Sequence, residues 1–301
     1  MTISQYKQFR PKGIVLIMLL GLTVLVVFVP ALWGAYGRIL LITTLLYITM
    51  ALSYDVVGGL LGYIYLGHGV FFGLGAYVTS LALGRGQTLP VSLTLAACLA
   101  LSVAALLGLP LIRLRGPVFA LATLGLLLLG SQLASNMSSW TGGAAGLSLP
   151  PNPSPKLTYA LTLVLALATI LTHWQLRVSR LGLKLVTVRE DEDMAESVGI
   201  DASKAKRLAL IISAIPVALA GGLQAREISF VIPTEAFGLE HSLAPLLMCM
   251  LFKPGTTWGP LLGAVFLTAA QEFIWTTLPH FRLSLYGILL IIIGTQRARR
   301  P

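Results

Sequence analysis

The sequence predicts an all-α integral membrane protein, a polytopic bundle of about 8–10 transmembrane helices with both termini cytoplasmic. Three observations predict it. Of 301 residues 56% are hydrophobic and 11% charged, with a mean hydropathy of +0.86, against about 25% charged in ordinary soluble domains. Uncharged runs recur at about the 20 residues a spanning helix needs. The basic residues collect at the ends of those runs, as they do in cytoplasmic loops. That placement also argues against nucleic acid as the partner of a chain with net charge +10, because nucleic-acid binding favours a basic polar face.

Lys7, Arg10 and Lys12 precede an uncharged run that continues to Gly37. A signal h-region has about 7 to 15 residues, so this longer run is read as an uncleaved first span over residues 14–33. The second span, residues 39–54, is short because Arg38 and Asp55 bound it. Residues 56–84 are uncharged, exceed the needs of one span, and carry seven glycines between Gly58 and Gly75. Further spans are expected at 89–112, 118–137, 157–176 and 208–225. A last group, 242–296, is interrupted by Pro254, Gly255, Pro279 and His280 and reads as two spans with a re-entrant break or as three.

Orientation follows from the basic residues. The N-terminus, the segment 177–207 and the tail with Arg297, Arg299 and Arg300 are all expected on the cytoplasmic side, which requires an even number of spans. Arg113 and Arg115 then also fall inside, and residues 140–155 (WTGGAAGLSLPPNPSP) form an outer Gly- and Pro-rich loop. No polar stretch is long enough to bury a core of its own, so residues 1–301 are read as a single transmembrane domain.

Segment 177–207 holds seven of the 21 Lys and Arg residues and six of the 11 acids. Behind Glu190, Asp191, Glu192 and Asp193, the residues Met194, Ala195 and Val198 fall on one helical face. Gly199 supplies a helix end, and Asp201 or Ser203 a start for the next helix. The spacing leaves two readings open, a solvated connector or a helix that docks on a cytoplasmic partner.

Asp55, His68 and Glu272 lie in or beside apolar runs, where ionisable residues are costly and tend to be functional. Each has a plainer reading, as a helix cap at the membrane surface or as a satisfied hydrogen-bond partner. Gly58 and Gly62, Gly69 and Gly73, and Gly255, Gly259 and Gly263 are spaced by four, which lines small residues along a helix face for close packing or permits irregular backbone along a solute route. Cys98 and Cys249 sit in apolar runs and are expected to be buried. No phosphate-binding Gly-x-x-x-x-Gly-Lys-Ser/Thr loop, His-Glu-x-x-His helix, Gly-x-Ser-x-Gly elbow or metal-ligand spacing is present, so no catalytic or metal residue is assigned and ATP hydrolysis by this chain is not expected.

Four stretches resemble the inner-membrane permease subunits of ABC importers for branched-chain and other hydrophobic amino acids, a family that also includes urea permeases. They are LGHGVFFGLGAY (66–77), LRGPVFALATLGLLLL (114–129), TGGAAGL (141–147) and SRLGLKLVTVREDEDMAESVGID (179–201). The resemblance implies a permease domain that pairs with a homologous permease subunit, two cytoplasmic ATPase subunits carrying ATP and Mg, and an external solute-binding protein, in the bacterial inner membrane. It implies that Arg189 to Gly199 couple to the ATPase, with Met194, Ala195 and Val198 inserting. It also implies that Gly67, His68, Phe71 and Phe72, with Thr141, Gly142 and Gly143, help form the translocation route or its external mouth. Asp55 is added to the candidate pathway residues on its own character, as an acid beside an apolar run. A urea or amide permease, and an ion-coupled carrier or channel using Asp55, His68 and Glu272, are the alternatives. One departure stands out. Where the family shows Gly-Gly-x-Gly-Thr-x-x-Gly-Pro, this chain reads LFKPGTTWGP (251–260), with Phe252 and Lys253 in place of glycines.

Overall fold

The computed structural model describes the backbone of residues 12–277 and the side chains of residues 34–273. The N-terminal Lys7 and Arg10, the chain from residue 278 and the basic tail lie outside the described residues, and the expected even number of spans lies there with them. Within them the chain is all-α apart from one two-stranded ribbon. Five helical stretches are long and apolar enough to cross a membrane: Gly34–Leu60, Leu89–Leu111, Gly116–Asn136, Pro155–Val178 and Ala202–Ile228.

The first two expected spans lie in one stretch, α1 (Lys12–Asp55), as two helices separated by a break at Gly34 (φ 63°, ψ −147°). Arg38 lies in the first turn of the second of them, close to the expected boundary. The long uncharged run that follows is not one helix either. α1 passes into a π turn (Val56–Leu60), the backbone is non-helical through 61–67, and α2 (His68–Gly84) begins afresh. Gly62, at φ +83°, makes the break, since a side chain there meets a backbone conformation that L-residues avoid.

α3 (Leu89–Leu111) and α4 (Gly116–Asn136) each carry proline in the first turn, where its missing N–H costs nothing. Their outward faces bear Leu95, Leu106, Val118, Leu121 and Leu128, as expected of helices that meet hydrocarbon on one side and the bundle on the other. Cys98 lies on this outward face of α3, whereas Cys249 is buried, its thiol 3.0 Å from the Ala51 carbonyl. The expectation of two buried cysteines is corrected for Cys98, because an outward position in a membrane helix is apolar without being packed.

The expected outer loop contains a short helix α5 (Ser138–Thr141), a 3₁₀ turn and the strand β1 (Leu147–Ser148). After α6 (Pro155–Val178) the polar segment folds as two helices, α7 (Arg180–Glu190) and α8 (Glu192–Ser197). α9 (Ala202–Ile228) then runs through the centre of the bundle, packed against α1, α2, α3, α6 and α7. It starts six residues before the expected 208, because Asp201 caps it by accepting from the Lys204 N–H at 2.8 Å. That bond, with the Lys204 ammonium, holds the Asp201 carboxyl below its usual range. β2 (Phe230–Val231), α10 (Pro233–Ala236), α11 (Glu240–Leu251) and α12 (Trp258–Thr277) follow, with a non-helical 252–257 between the last two. The break expected in the C-terminal group is thus real at Pro254 and Gly255.

Glycines do bring helices together, partly in the rows the spacing picks out: a Cβ on Gly263 would stand 1.8 Å from the Met248 carbonyl oxygen and one on Gly73 2.5 Å from the Phe237 ring. Gly62 and Gly255 have positive φ and sit outside helices, so they do not extend a face with Gly58 or Gly259. An equally close approach lies outside those rows, between α2 and α9, where a Cβ on Gly75 would stand 1.8 Å from the Ala218 carbonyl oxygen and one on Gly221 2.1 Å from that of Phe72. Gly75→Ala must force these two backbones apart and is expected to cost about 1–3 kcal/mol, read as a lower melting temperature in detergent. Gly125→Ala, where no atom lies within 4 Å of the added carbon, is expected to leave it unchanged or raise it slightly.

Candidate functional site

Three clusters of polar and glycine residues meet at the end of the bundle that carries α7 and α8. The first is the short helix α8 itself. Asp191 caps it by accepting from the Met194 N–H at 3.0 Å, and Gly199 (φ +83°) ends it. Met194 and Val198 are 66% and 68% exposed, whereas Ala195 is 0% exposed and packs into the chain's own core. The face offered outward is therefore Met194 and Val198 ringed by Glu190, Asp191, Asp193 and Glu196, and Ala195 belongs to the seat of the helix.

Glu192 also points inward. Its carboxylate accepts from the Tyr63 hydroxyl at 2.7 Å and from the Lys206 ammonium at 2.7 Å, with Arg115 Nε at 3.4 Å. Lys206 is itself buried, 4.8 Å above the Tyr63 ring, and Arg115 donates to Asp193 at 2.9 Å. A half-buried carboxylate needs such partners. They tie α8 to α9, to the start of α4 and to the broken segment after α1. The meeting of Arg115 with Glu192 and Asp193 places residue 115 at the same end of the bundle as segment 177–207, as the charge pattern predicts.

The second cluster surrounds Asp55, which is fully buried. Nε2 of His173, from α6, lies 2.9 Å from its Oδ2. The Gly255 N–H donates to Oδ1 at 2.8 Å and to Oδ2 at 3.1 Å. Thr257 Oγ1 lies 3.3 Å from His173 Nδ1. A Cβ on Gly59 would fall 1.9 Å from Asp55 Oδ1 and 2.5 Å from the Gly255 nitrogen, so glycine is required there. The loop in which Phe252 and Lys253 replace glycines is the one that closes on Asp55. Both replacements point outward and leave Gly255 free to donate.

The third cluster is the broken segment 61–67 and the start of α2. Its backbone groups are satisfied by side chains from three other helices. The Tyr65 N–H donates to the Tyr54 hydroxyl at 3.3 Å, the Leu66 N–H to Thr123 Oγ1 at 3.1 Å and the Gly69 N–H to Ser242 Oγ at 3.0 Å; Ser242 in turn donates to the Leu66 carbonyl at 2.6 Å. His68 is fully buried, with Nε2 3.2 Å from the Met50 carbonyl and its ring edge-on to Tyr54 and Tyr65. Met50 lies within the 34–60 span, so the His68 end of this irregular backbone is enclosed beside that span, where it persists only if protein shields it. Gly62 and Ile64 at its other end are exposed near Arg189 and Glu192. A narrow crevice opens beside the segment, with Tyr65, Gly67, Val70, Phe71, Leu107 and Leu210 among its walls. Phe72 faces the other way and stacks on His241 at 3.9 Å.

At the opposite end, Thr141, Gly142 and Gly143 form a tight turn whose Thr141 hydroxyl bonds back to the Ala134 and Met137 carbonyls. β1 pairs antiparallel with β2, Leu147 opposite Val231. Arg226 donates to the Pro150 and Pro151 carbonyls at 2.9 and 3.2 Å, fastening the loop to the end of α9. Glu272 accepts from the Tyr36 hydroxyl, as an interhelical partner.

Sequence reasoning missed His173, Thr257, Tyr63 and Lys206. His173 carries the same signal as Asp55, an ionisable side chain within an apolar run, and is recoverable by the same rule. Lys206 reads as a span-end anchor because only the fold shows that Glu192 reaches it.

The arrangement is that of a polytopic permease bundle, with a helix broken beside a span, a buried intramembrane polar node and an acidic helix presented outside the hydrocarbon. The chain belongs to the branched-chain amino acid transport system / permease component family, which it matches over residues 38–294. It is 29% identical over 286 residues to the high-affinity branched-chain amino acid transport system permease protein LivM of Escherichia coli, covering 83% of this chain and 66% of that protein, with the same values for the Salmonella typhimurium protein. It is 30% identical over 223 residues to the autoinducer 2 import system permease protein LsrC of an Enterobacter species, covering 70% of this chain and 62% of the relative. The chain thus spans slightly less than two thirds of the length of these relatives. No solved structure matches it.

Removing the Asp55 carboxylate leaves His173 and the Gly255 N–H without their shared partner. Asp55→Ala is expected to destabilise the folded protein by about 3–5 kcal/mol, and Asp55→Asn, which retains an acceptor, by less. Thermal unfolding of the two variants in detergent gives the order.

Proposed function

We propose that this chain is the membrane-spanning permease subunit of an ATP-driven importer, carrying branched-chain and other neutral hydrophobic amino acids across the bacterial inner membrane. In this reading it works beside a homologous permease subunit and takes solute from an external binding protein. Two cytoplasmic ATPase subunits bind the ATP and Mg, and the chain itself has no catalytic role. The observation that carries the reading is the outward pair Met194 and Val198 on α8. Two large apolar side chains held in water, one turn apart and ringed by acids, match the anchors by which a short helix seats in a groove. Family membership supports the solute class. The amino acid is preferred because two of the relatives are branched-chain amino acid permeases by name, while the third, for autoinducer 2, shows that similar chains serve other solutes.

The route is proposed to pass the crevice beside Gly67, His68 and Phe71, since binding at discontinuous helices near the membrane midplane is a recurring transporter arrangement. Thr141, Gly142 and Gly143 shape its external mouth. Asp55 and Phe72 act from behind the route, one as the knot beneath the broken segment and the other as the support for α2. Glu190, Asp191 and Asp193 set the register of docking, while Arg189, Glu192, Ala195 and Gly199 hold α8 in place.

A double variant, Met194→Asp with Val198→Asp, replaces both anchors by charges without touching a buried group. It is expected to insert normally and to lose at least about tenfold in the amount of ATPase subunit that co-purifies. Undiminished co-purification, or leucine uptake that continues without ATP, contradicts the proposal.

A further inference from the structure

Arg189 is the last basic residue of α7, three residues ahead of Glu192 at the start of α8. Its side chain turns away from the outward face and enters a slot between two glycines. Its aliphatic stem lies over Gly62, where a Cβ would stand 2.6 Å from Arg189 Cγ. Its guanidinium donates to the Gly59 carbonyl at 2.8 Å and passes within 3.6 Å of where a Cβ on Gly255 would lie. Gly59 belongs to the π turn, a helix form whose widened hydrogen-bond pattern is common at functional sites, and Gly62 begins the non-helical stretch that ends at the crevice. Four residues along the same stretch, the Tyr63 hydroxyl takes the carboxylate of Glu192. The helix pair that offers Met194 and Val198 outward thus grips the backbone of 59–63 at two points. That backbone continues directly into Tyr65 and Gly67 on the crevice wall.

We infer that Arg189, keyed between Gly59 and Gly62, and Tyr63, held by Glu192, are the positioning residues that transmit displacement of α8 to the broken segment lining the route. The inference rests on the proposed ATP-driven reading and adds to it the path inside this chain. A rigid connection is needed there because α8 is short and touches the rest of the bundle at few places. A guanidinium on a backbone carbonyl moves main chain directly, whereas a contact between side chains is taken up by rotamer changes. The glycines serve this purpose, since any side chain at 59 or 62 excludes the arginine or the neighbouring loop.

The test uses the chain purified with its co-purifying ATPase and reconstituted with the solute-binding protein, and reads leucine transported per ATP hydrolysed. Arg189→Gln and Tyr63→Phe are expected to retain the ATPase and hydrolyse ATP within about twofold of wild type, while transport per ATP falls about tenfold, the size of a typical coupling energy. Arg189→Lys, which keeps the stem and one donor, is expected to recover part of the loss, and an added Tyr63→Phe to remove it again. Unchanged transport per ATP in all three variants overturns the inference, as does a fall in uptake that merely follows lost ATPase binding. A wild-type chain that retains no ATPase overturns the reading on which it rests, and so separates the two failures.

Discussion

A carboxylate surrounded by hydrocarbon side chains is stable only when charge and hydrogen bonds compensate its lost hydration, because the uncompensated cost is many times the net stability of a fold. Asp55 imposes that condition on everything around it. Its two oxygens take a ring nitrogen from α6 and a backbone N–H from the 252–257 loop, so parts of the chain 118 and 200 residues from Asp55 in sequence converge on one turn. The convergence excludes a side chain at residue 59. It also fixes the approach of the loop, whose Gly255 adopts φ +73° to present its N–H. Thr256 Oγ1 then accepts from the Gly259 N–H at 3.1 Å and starts α12. The C-terminal break is thus a consequence of satisfying a buried acid, and Phe252 and Lys253, standing outside the contact, are compatible with it.

The second constraint is the backbone left unpaired where α1 stops. Residues 61–67 make few helical bonds, and where the segment is buried hydroxyls from Tyr54, Thr123 and Ser242 supply the partners. This divides the bundle's work. α3 and α4 offer leucines to the bilayer, and α9 packs tightly through small residues at its centre. The stretch from Asp55 to His68 remains an irregular strap held at many points by side chains. Those points include Arg189 and Glu192 from the polar segment, so the helices outside the membrane and the irregular backbone are parts of one connected structure.

The membrane class, the spans at 89–112, 118–137 and 157–176, and the division of 177–207 into a short helix ended by Gly199 were legible in the sequence, because each rests on local signals such as run length, charge position and helix caps. The boundary between the first two spans was legible to within a few residues, since Arg38 marks it in the sequence and the break falls at Gly34. Glycine spacing picked out the close contacts at Gly73 and Gly263 but misled at Gly62 and Gly255, because a period of four presumes a continuous helix and the chain is not helical there. The three residues Met194, Ala195 and Val198 do share a side of α8, but which of them faces outward depends on where α9 packs, and that is a tertiary fact. The pairings of Asp55, Glu192 and Arg189 were illegible because the partners lie 14 to 200 residues apart, even though His173 by itself stands out as an ionisable residue in an apolar run.

The central claim is that the Asp55 node, the 59–63 backbone and the α7–α8 helices form one mechanical unit. Amide hydrogen exchange of the His173→Gln variant against wild type in detergent measures this most directly. Loosening the node at His173 is predicted to speed exchange together in 252–257, 59–63 and 189–199, with α3 and α4 unchanged. Faster exchange confined to 252–257 and the neighbouring turn of α6, with 189–199 as protected as in wild type, would contradict it.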